Sequence, residues 1–487
     1  MAAGLVFLLL PGSYLDNLGR EVAFSSAGRL TAAAGAWMAI WWITEAIPVY
    51  ATALLPLALL PAGGAVSMRE TAAPYAHELI FLFMGGFVIA LSMQRWGLHR
   101  RFALTVVRLA GAAPHRMVGG FMLVTALVSM WVSNTATAMM MLPIATSVIE
   151  TVQPGGDPGP ERRNFSLCML LGIAYAASIG GIGTLIGTPP NLFMASYVKD
   201  IFGIEIGFAR WMAIGIPLVA VFLPVTWLLL TRVLFPFRMT RIDGGPGLDS
   251  SYRELGVMKR GEWITLIVSA LTAAAWITRP LLSRIQVAGM RPLSGLTDTG
   301  IAMIAALSLF MIPVDIKSRT FAMNWETAAG LPWGLLLLFG GGLSLASAIE
   351  ANGVGELIGH RAGALAGLPG VAIVVLITAM MITITELTSN TASAATLLPI
   401  LGALAPGLGV HPLLLVIPAA IAASCGFMLP VATPPNAIVF GSGRVSIPQM
   451  CRAGVWLNVA GVILITGLAY AVILPVMGIG PGPQAAP

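Results

Sequence analysis

Charged residues are scarce in this chain. Only 9% of its 487 residues are Asp, Glu, Lys or Arg, whereas a soluble globular domain carries about 25%. The hydrophobic fraction is 57% and the mean hydropathy is +0.89. Apolar runs recur from end to end, without the alternation of a transmembrane β-barrel. The sequence therefore predicts an all-α polytopic membrane protein and excludes a soluble domain.

Cysteines and clusters of basic or catalytic residues are also lacking. The three cysteines, Cys168, Cys425 and Cys451, are scattered among apolar residues without metal-ligand spacing, so they are interpreted as packing residues. The net charge of +6 comes from Lys and Arg dispersed in short loops, which indicates no nucleic-acid partner. The apolar run near residues 2–11 has no basic leader, and we interpret it as part of a first span rather than a cleaved signal.

Two polar motifs each occur twice inside apolar stretches. The first is Ser133-Asn134-Thr135, repeated as Ser389-Asn390-Thr391; the second is Thr-Pro-Pro-Asn, at residues 188–191 and 433–436. Lipid offers no partner to freed backbone groups, so a helix break at membrane depth must be buried in protein or line a cavity. The motifs predict a two-half transporter that binds its cargo at paired breaks.

An internal repeat connects these motifs. At a constant shift of 256 residues, the Glu-Thr-Ala-Ala at residues 70–73 falls on residues 326–329, and Phe83 falls on Phe339. The same shift superimposes the two Ser-Asn-Thr copies without a gap, whereas the Thr-Pro-Pro-Asn copies need a shift of 245. Two homologous halves, separated by one difference in loop length, explain this pattern.

About eleven spans are expected in these two halves, together with two hairpins. In the first half the expected elements are spans at 2–11, 29–46 and 49–63, a long interrupted segment 77–112, a hairpin 117–151, a broken helix 166–202 and a span 211–237. After a polar linker at 238–260, the second half repeats the plan with spans 261–288 and 299–314, a long segment 332–365, a hairpin 370–404, a broken helix 412–442 and a span 449–477.

Hairpin length and loop charge predict the arrangement in the membrane. Hairpin arms of about 14–18 residues are short for a hydrocarbon core about 30 Å thick, so the hairpins are expected to be re-entrant. His99, Arg100 and Arg101 follow Gly85-Gly86, which we call the first Gly-Gly pair. In the second half, no Lys or Arg occurs between Ala362 and Ser442. Positive-inside bias therefore predicts inverted halves, with a cytoplasmic linker and hairpin tips that meet near the midplane.

The chemistry is expected at those tips. Carbonyl, hydroxyl and Asn side-chain oxygens suit an alkali cation, while helix N-termini and hydroxyl donors suit a carboxylate. No Lys, Arg or His occurs at 118–161 or 164–197. A multiply charged anion among neutral groups would be heavily penalised, so a cation is expected to accompany it, with Na⁺ as the natural candidate.

These residues resemble the divalent anion:sodium symporter family, which carries dicarboxylates, citrate or sulfate. The resemblance covers essentially the whole chain, and the second-half signature of the family is satisfied at every fixed position. Its positions here are Ala423, Ser424, Phe427, Pro430, Val431, Ala432, Asn436, Ile438 and Val439. The resemblance implies a homodimer in which a transport domain slides past a fixed scaffold, as an elevator.

The resemblance also implies domains and site residues. The first repeat, 1–237, would comprise scaffold spans 1–112 and transport elements 117–237; the second, 261–487, would comprise scaffold spans 261–365 and transport elements 370–477. The sodium ligands would be Ser129, Ser133, Asn134 and Gly187 at one site and Thr385, Ser389, Asn390 and Ala432 at the other. Substrate would contact Ser133, Asn134, Thr135, Thr188, Pro189, Ser389, Asn390, Thr391, Thr433 and Pro434.

The leading hypothesis is a sodium-coupled symporter of succinate, malate or fumarate in a bacterial cytoplasmic membrane. A dicarboxylate exchanger of the same fold, a citrate or sulfate symporter, and an intramembrane enzyme remain as alternatives. Glu45 is interpreted as a helix-end contact before Pro48, with a proton relay as the alternative. Glu386 either makes a structural hydrogen bond or tunes a cation site.

Overall fold

The structure, a computed structural model, describes residues 12–15, 21–111, 113–152, 159–239, 252–286, 290–361 and 368–480, together with Phe7 and Leu10. The predicted span 2–11 lies outside the described residues apart from Phe7 and Leu10, and so does the middle of the predicted linker, 240–251.

The described chain is mainly helical. The first half contains α1 (Ser26–Thr44), α2 (Val49–Thr52), α3 (Leu55–Ala62), α4 (Met68–Ala72), α5 (Glu78–Arg95), α6 (Leu98–Ala110), α7 (Pro114–Ser129), α8 (Asn134–Val152), α9 (Pro160–Gly181), α10 (Pro189–Phe202) and α11 (Phe208–Leu228). The second half contains α12 (Arg260–Leu282), α13 (Asp298–Met311), α14 (Trp325–Ala328), α15 (Trp333–Ala351), α16 (Val354–Arg361), α17 (Gly370–Thr385), α18 (Asn390–Leu404), α19 (Leu413–Ala422), α20 (Pro434–Phe440), α21 (Ile447–Leu468) and α22 (Leu474–Met477).

The helix order in the second half follows that of the first. α7 and α17 begin and end at positions 256 residues apart, as the repeat predicts, and α10 and α20 begin 245 residues apart. A π-helical stretch follows α11 and another follows α21. The Phe83 and Phe339 rings, which the repeat superimposes, contact each other with centroids 5.4 Å apart. Equivalent segments of the two halves therefore meet inside the protein.

Short β-hairpins are an exception to the all-α prediction. Strands β1 (Ser13–Leu15) and β2 (Glu21–Ala23) pair antiparallel, as do β3 (Pro313–Asp315) and β4 (Thr320–Phe321). After β3 the Asp315 side chain accepts hydrogen bonds from the Lys317 N–H and the Ser318 hydroxyl, which reverses the chain. The strictly all-α prediction is wrong at these segments because two or three residues are too few to leave a periodic pattern.

Glycines permit close helix contacts around the core. A Cβ on Gly85 would lie 2.8 Å from the backbone of Ala302, and one on Gly341 would lie 2.2 Å from the backbone oxygen of Ala53. Since real Cβ atoms do not approach this closely, the two paired glycines are required where α5 and α15 meet neighbouring backbone. These two glycines therefore serve close helix contact.

By length and composition, six helical segments in the described part of the chain could cross a membrane. They are Met68–Arg95, Pro160–Gly181, Phe208–Leu234, Arg260–Leu282, Trp333–Ala351 and Ile447–Met477. Five further apolar helices have 10–17 residues. The sequence expectation of about eleven spans stays a prediction, while a multi-pass membrane protein is supported. Large apolar side chains such as Leu271, Ile304 and Ile463, each 65% exposed, cover the outer faces of α12, α13 and α21.

Candidate functional site

Both Ser-Asn-Thr motifs lie at tight turns between two helices. We call Ser133, Asn134 and Thr135 the first tip, and Ser389, Asn390 and Thr391 the second tip. α7 and α8 join at the first tip, and α17 and α18 at the second. The Thr-Pro-Pro-Asn motifs follow unwound segments, which we call the first break (residues 182–188) and the second break (residues 423–433). The predicted helix interruptions are confirmed at all four places.

One cavity of about 790 Å³ is lined by residues of both tips and both breaks. All ten residues predicted to contact substrate line it. They are Ser133, Asn134, Thr135, Thr188, Pro189, Ser389, Asn390, Thr391, Thr433 and Pro434. Motifs distant in the sequence are thus brought to one place, although their roles in binding stay predictions.

Helix N-termini give this cavity its polarity. α8 and α18 begin at Asn134 and Asn390, and α10 and α20 begin at Pro189 and Pro434. The first N–H groups of a helix lack intrahelical partners, and the helix dipole places about half a positive charge at that end. Four helix N-termini therefore reach the cavity wall, and their dipoles favour an anion. Free N–H groups can come from α8 and α18, because α10 and α20 each begin with two prolines, which carry no N–H.

The first set of predicted sodium ligands lies behind the first tip. The buried Ser129 hydroxyl lies 2.7 Å from the Ala177 carbonyl oxygen and 2.5 Å from Asn134 Oδ1. A Cβ on Gly181 would lie 2.7 Å from Asn134 Oδ1 and 3.1 Å from the Gly187 carbonyl oxygen. The end of α7, the first tip, the end of α9 and the first break therefore converge. We call Ser129, Ser133, Asn134 and Gly187 the first cluster.

The second set repeats this arrangement behind the second tip. The buried Thr385 hydroxyl lies 2.8 Å from the Ala423 carbonyl oxygen and 2.8 Å from Asn390 Oδ1. A Cβ on Gly426 would lie 3.0 Å from the Ala432 Cβ and 3.3 Å from the Thr385 carbonyl oxygen. We call Thr385, Ser389, Asn390 and Ala432 the second cluster. In both sets a buried hydroxyl therefore contacts a backbone carbonyl oxygen and the side-chain oxygen of the tip Asn.

In each cluster one buried hydroxyl lies within hydrogen-bond distance of two acceptor oxygens. A hydroxyl carries one proton, so Ser129 can donate to Ala177 or to Asn134 Oδ1 but not to both at once, and Thr385 is in the same position. A small cation would satisfy the remaining close oxygen pair. The clusters also lie at the C-terminal ends of α7 and α17, where the helix dipole is negative. This donor set fits Na⁺.

Two asparagines of the Thr-Pro-Pro-Asn motifs hold the breaks open. The Asn191 Nδ2 donates to the carbonyl oxygens of Gly181 (3.1 Å) and Thr184 (2.8 Å). The Asn436 Nδ2 donates to Gly426 (3.1 Å) and Leu429 (3.0 Å) in the same way. Both asparagines are fully buried. These side chains therefore bind backbone carbonyl groups that the helix breaks have freed.

The cavity wall lacks basic side chains. Among the lining residues that the structure describes there is no Lys, Arg or His, and Glu45 and Tyr50 are its ionisable groups. Neither Glu45 nor Tyr50 can carry a positive charge, so none of these lining side chains can neutralise an anionic solute. Likewise, no cluster of three or more His, Cys, Asp or Glu occurs within the described residues. An anion bound here would be balanced by helix dipoles and by an accompanying cation.

The two singled-out carboxylates occupy different positions. Glu45 caps the C-terminal end of α1 with a left-handed backbone (φ 47°), which agrees with the helix-end interpretation. Glu386 does not line the cavity. It is buried behind the second break and accepts hydrogen bonds from the backbone N–H groups of that break. The structural hydrogen bond predicted for Glu386 is therefore present, while an effect on the cation site stays a prediction.

Sequence reasoning missed the apolar wall of the cavity. Phe83, Phe87 and Leu335 line it, and the Phe83 and Phe87 rings contact each other with centroids 4.1 Å apart. Phe83 was visible in the repeat, but an aromatic residue in an apolar helix gives no sign of which face meets a cavity. Thr388, which precedes the second tip, was missed for the same reason.

Comparisons with known proteins identify the family of this chain. The family model described as the sodium:sulfate symporter transmembrane region matches residues 5–477. A protein named sodium-dependent dicarboxylate transporter SdcS, from Staphylococcus saprophyticus, is 44% identical over 469 residues, covering 95% of this chain and 88% of that protein. The SdcS of Staphylococcus aureus strain USA300 is 43% identical over 449 residues, covering 91% and 85%.

Solved structures share the fold at low identity. The YdaH transporter of Alcanivorax borkumensis has a TM-score of 0.56 at 16% identity, covering 99% of this chain and 96% of its own. MtrF of Neisseria gonorrhoeae has a TM-score of 0.59 at 13% identity, covering 99% of both. The family match spans nearly the whole sequence, and the predicted resemblance is confirmed: this chain belongs to the sodium:sulfate symporter family, that is, the divalent anion:sodium symporters.

Proposed function

We propose that this protein is a sodium-coupled symporter that carries C4-type dicarboxylates such as succinate, malate or fumarate across a bacterial inner membrane into the cell. The observation that carries the proposal is the pairing of a cavity without basic side chains, reached by four helix N-termini, with two oxygen-rich clusters directly behind its tips. The names of the Staphylococcus relatives, at 43–44% identity, support sodium and a dicarboxylate rather than sulfate.

Each half would contribute one end of the binding site. Asn134 and Thr135 at the first tip and Asn390 and Thr391 at the second would donate to the two carboxylates, with Thr188, Pro189, Thr433 and Pro434 closing the pocket. Both tips line one cavity, so a solute with two separated carboxylates could place one carboxylate at each tip. A compact tetrahedral anion has a single charged group to share between the two tips. This geometric argument favours a dicarboxylate over sulfate.

Sodium would lower the free-energy cost of binding an anion in this environment. Two negative charges among neutral groups at low dielectric are strongly disfavoured. Na⁺ at the first cluster and Na⁺ at the second would neutralise them from behind, because each tip Asn belongs to both a cluster and the cavity wall. Substrate and ion binding are then coupled through the same side chains, which is the physical requirement for symport.

We further propose that the halves are inverted repeats that form a scaffold (1–112 and 261–365) and a transport domain (117–237 and 370–477), with re-entrant hairpins and elevator motion in a lipid-embedded homodimer. The linker 238–260 would be cytoplasmic. In its support, Arg101, which belongs to the basic group after the first Gly-Gly pair, pairs with Glu262 (2.8 Å) and donates to the carbonyl oxygens of Leu255 and Gly256.

Uptake into proteoliposomes tests the proposal. Purified protein is reconstituted without internal substrate, and radiolabelled succinate, citrate and sulfate are each offered with an imposed sodium, potassium or proton gradient. We expect accumulation of succinate with the sodium gradient alone. Accumulation that requires internal dicarboxylate and ignores sodium would instead identify an exchanger, and preference for citrate or sulfate would correct the substrate class.

A further inference from the structure

Glu386 is a buried carboxylate with an unusually complete set of donors. Its Oε1 accepts from the Phe427 N–H (2.7 Å), the Met428 N–H (2.9 Å) and the Asn458 Nδ2 (2.7 Å). Its Oε2 accepts from the Met428 N–H (3.0 Å) and the Leu429 N–H (3.1 Å). Only 5% of the residue is exposed. Every one of these contacts uses Glu386 as an acceptor, which is the pattern of an ionised carboxylate.

These donors belong to the segment that shapes the second cluster. Residues 427–429 lie in the second break, a few residues before Ala432, and Glu386 itself follows Thr385 directly. The carboxylate therefore joins the end of α17, which supplies one predicted sodium ligand, to the unwound backbone that supplies another. Asn458 adds a contact from α21, which fixes the carboxylate from a third side.

The first half solves the same problem without a charge. The repeat shift of 256 places Met130 where Glu386 stands in the second half. There the Thr184 hydroxyl donates to the Met130 carbonyl oxygen (2.5 Å) and accepts from the Gly187 N–H (3.1 Å), which joins the end of α7 to the first break. The two clusters are alike in their ligand types, but at this repeat position the first half has Met130 and the second half has the Glu386 carboxylate.

We propose that Glu386 is a positioning residue for the second sodium cluster and makes that site bind Na⁺ more tightly than the first. The inference deepens the proposed function and rests on it. The hydrogen bonds hold the backbone of the second break, which contains Ala432, against the end of α17, which contains Thr385. The buried negative charge also raises the affinity for a cation nearby. The second cluster then fills at lower sodium concentration and prepares the second tip for substrate.

The alternative is a structural bond that affects stability alone, and the sodium dependence of uptake separates the two. Glu386→Gln keeps the shape of the side chain but removes its charge and replaces an acceptor with an NH₂ group. Substituting a residue that orients a metal ligand typically lowers metal affinity about 10–100-fold. We expect the sodium concentration for half-maximal succinate uptake to rise about tenfold or more, while the substrate KM at saturating sodium changes little.

A matched control is Glu262→Gln. Glu262 is also buried and accepts from a backbone N–H (Lys259) and from a side chain (Arg101), but it lies at the start of α12, away from both clusters. We expect this variant to lower the thermal unfolding temperature while leaving the sodium dependence unchanged. The comparison separates the loss of a buried carboxylate from an effect on the ion site.

Double variants locate the effect. Combined with Thr385→Ala, in the same cluster, Glu386→Gln is expected to add little to the sodium shift, whereas combined with Ser129→Ala, in the other cluster, it adds its full shift. A Glu386→Gln protein that folds and shows the wild-type sodium curve overturns the inference. If that variant does not fold, Asn458→Ala removes one donor, and an unchanged sodium curve there overturns it equally. Wild-type uptake without sodium dependence would instead overturn the proposed function.

Discussion

Substituting Gly181 with alanine tests whether the first cluster is a sodium site. Gly181 ends α9 beside the first tip, and its missing side chain leaves the space that Asn134 occupies. A Cβ at this position would lie 2.7 Å from Asn134 Oδ1, about 0.7 Å closer than the 3.4 Å of an ordinary contact. The Gly187 carbonyl oxygen, at 3.1 Å, would be crowded from the same side. Asn134 must therefore shift, which disturbs its 2.5 Å contact with the Ser129 hydroxyl.

The size of the effect follows from the crowding. Overpacking a well-packed site costs about 1–3 kcal/mol. Because every 1.4 kcal/mol is a factor of ten in an equilibrium constant, we expect the sodium concentration for half-maximal uptake to rise by about tenfold. The strain falls on a cluster ligand that also lines the cavity, so the apparent affinity for succinate at low sodium should fall as well.

Sodium-dependent succinate uptake in proteoliposomes measures this effect, with thermal unfolding in detergent to confirm folding. Gly467→Ala is the control, because Gly467 lies within α21 with no atom within 4 Å of its would-be Cβ. We expect wild-type sodium dependence in the control. A folded Gly181→Ala protein with wild-type sodium dependence would refute the assignment of the first cluster.

Further substitutions probe the supports of the site. Asn436→Ala removes hydrogen bonds to Gly426 and Leu429 and should lower the free energy of unfolding by about 1–3 kcal/mol, measured by thermal denaturation; no loss would contradict its bridging role. Arg279→Ala removes the guanidinium that lies 2.7 Å from the buried Asp298 carboxylate, and should lower the free energy of unfolding by about 3 kcal/mol. Arg444→Ala removes a pair with the exposed Glu150 and should lower it by less than about 1 kcal/mol. Equal losses in thermal denaturation would be inconsistent with burial as the cause. Thr184→Val should raise the sodium requirement about tenfold in uptake assays, and an unchanged curve would show that the first break needs no such support.

The sequence by itself determined the membrane class, the duplicated halves and the places where helices break. Composition alone excludes a soluble core, and Pro with Asn inside an apolar run must interrupt a helix because Pro lacks a donor and Asn competes for backbone groups. The two Ser-Asn-Thr copies identified residues that line the cavity, because short polar side chains at membrane depth need partners. The sequence does not identify the backbone groups that bind Asn191 and Asn436.

Tertiary structure decided what lies opposite each of these residues. That Ser129 contacts Ala177, and Thr385 contacts Ala423, depends on how α7 packs on α9 and α17 on α19, which periodicity does not encode. The apolar wall at Phe83 and Phe87, and the four donor groups around Glu386, come from segments distant in sequence. Local sequence sets which groups lose their helical partners, because that depends on neighbours along the chain. Which groups replace those partners depends on packing between helices, and only the folded chain fixes it.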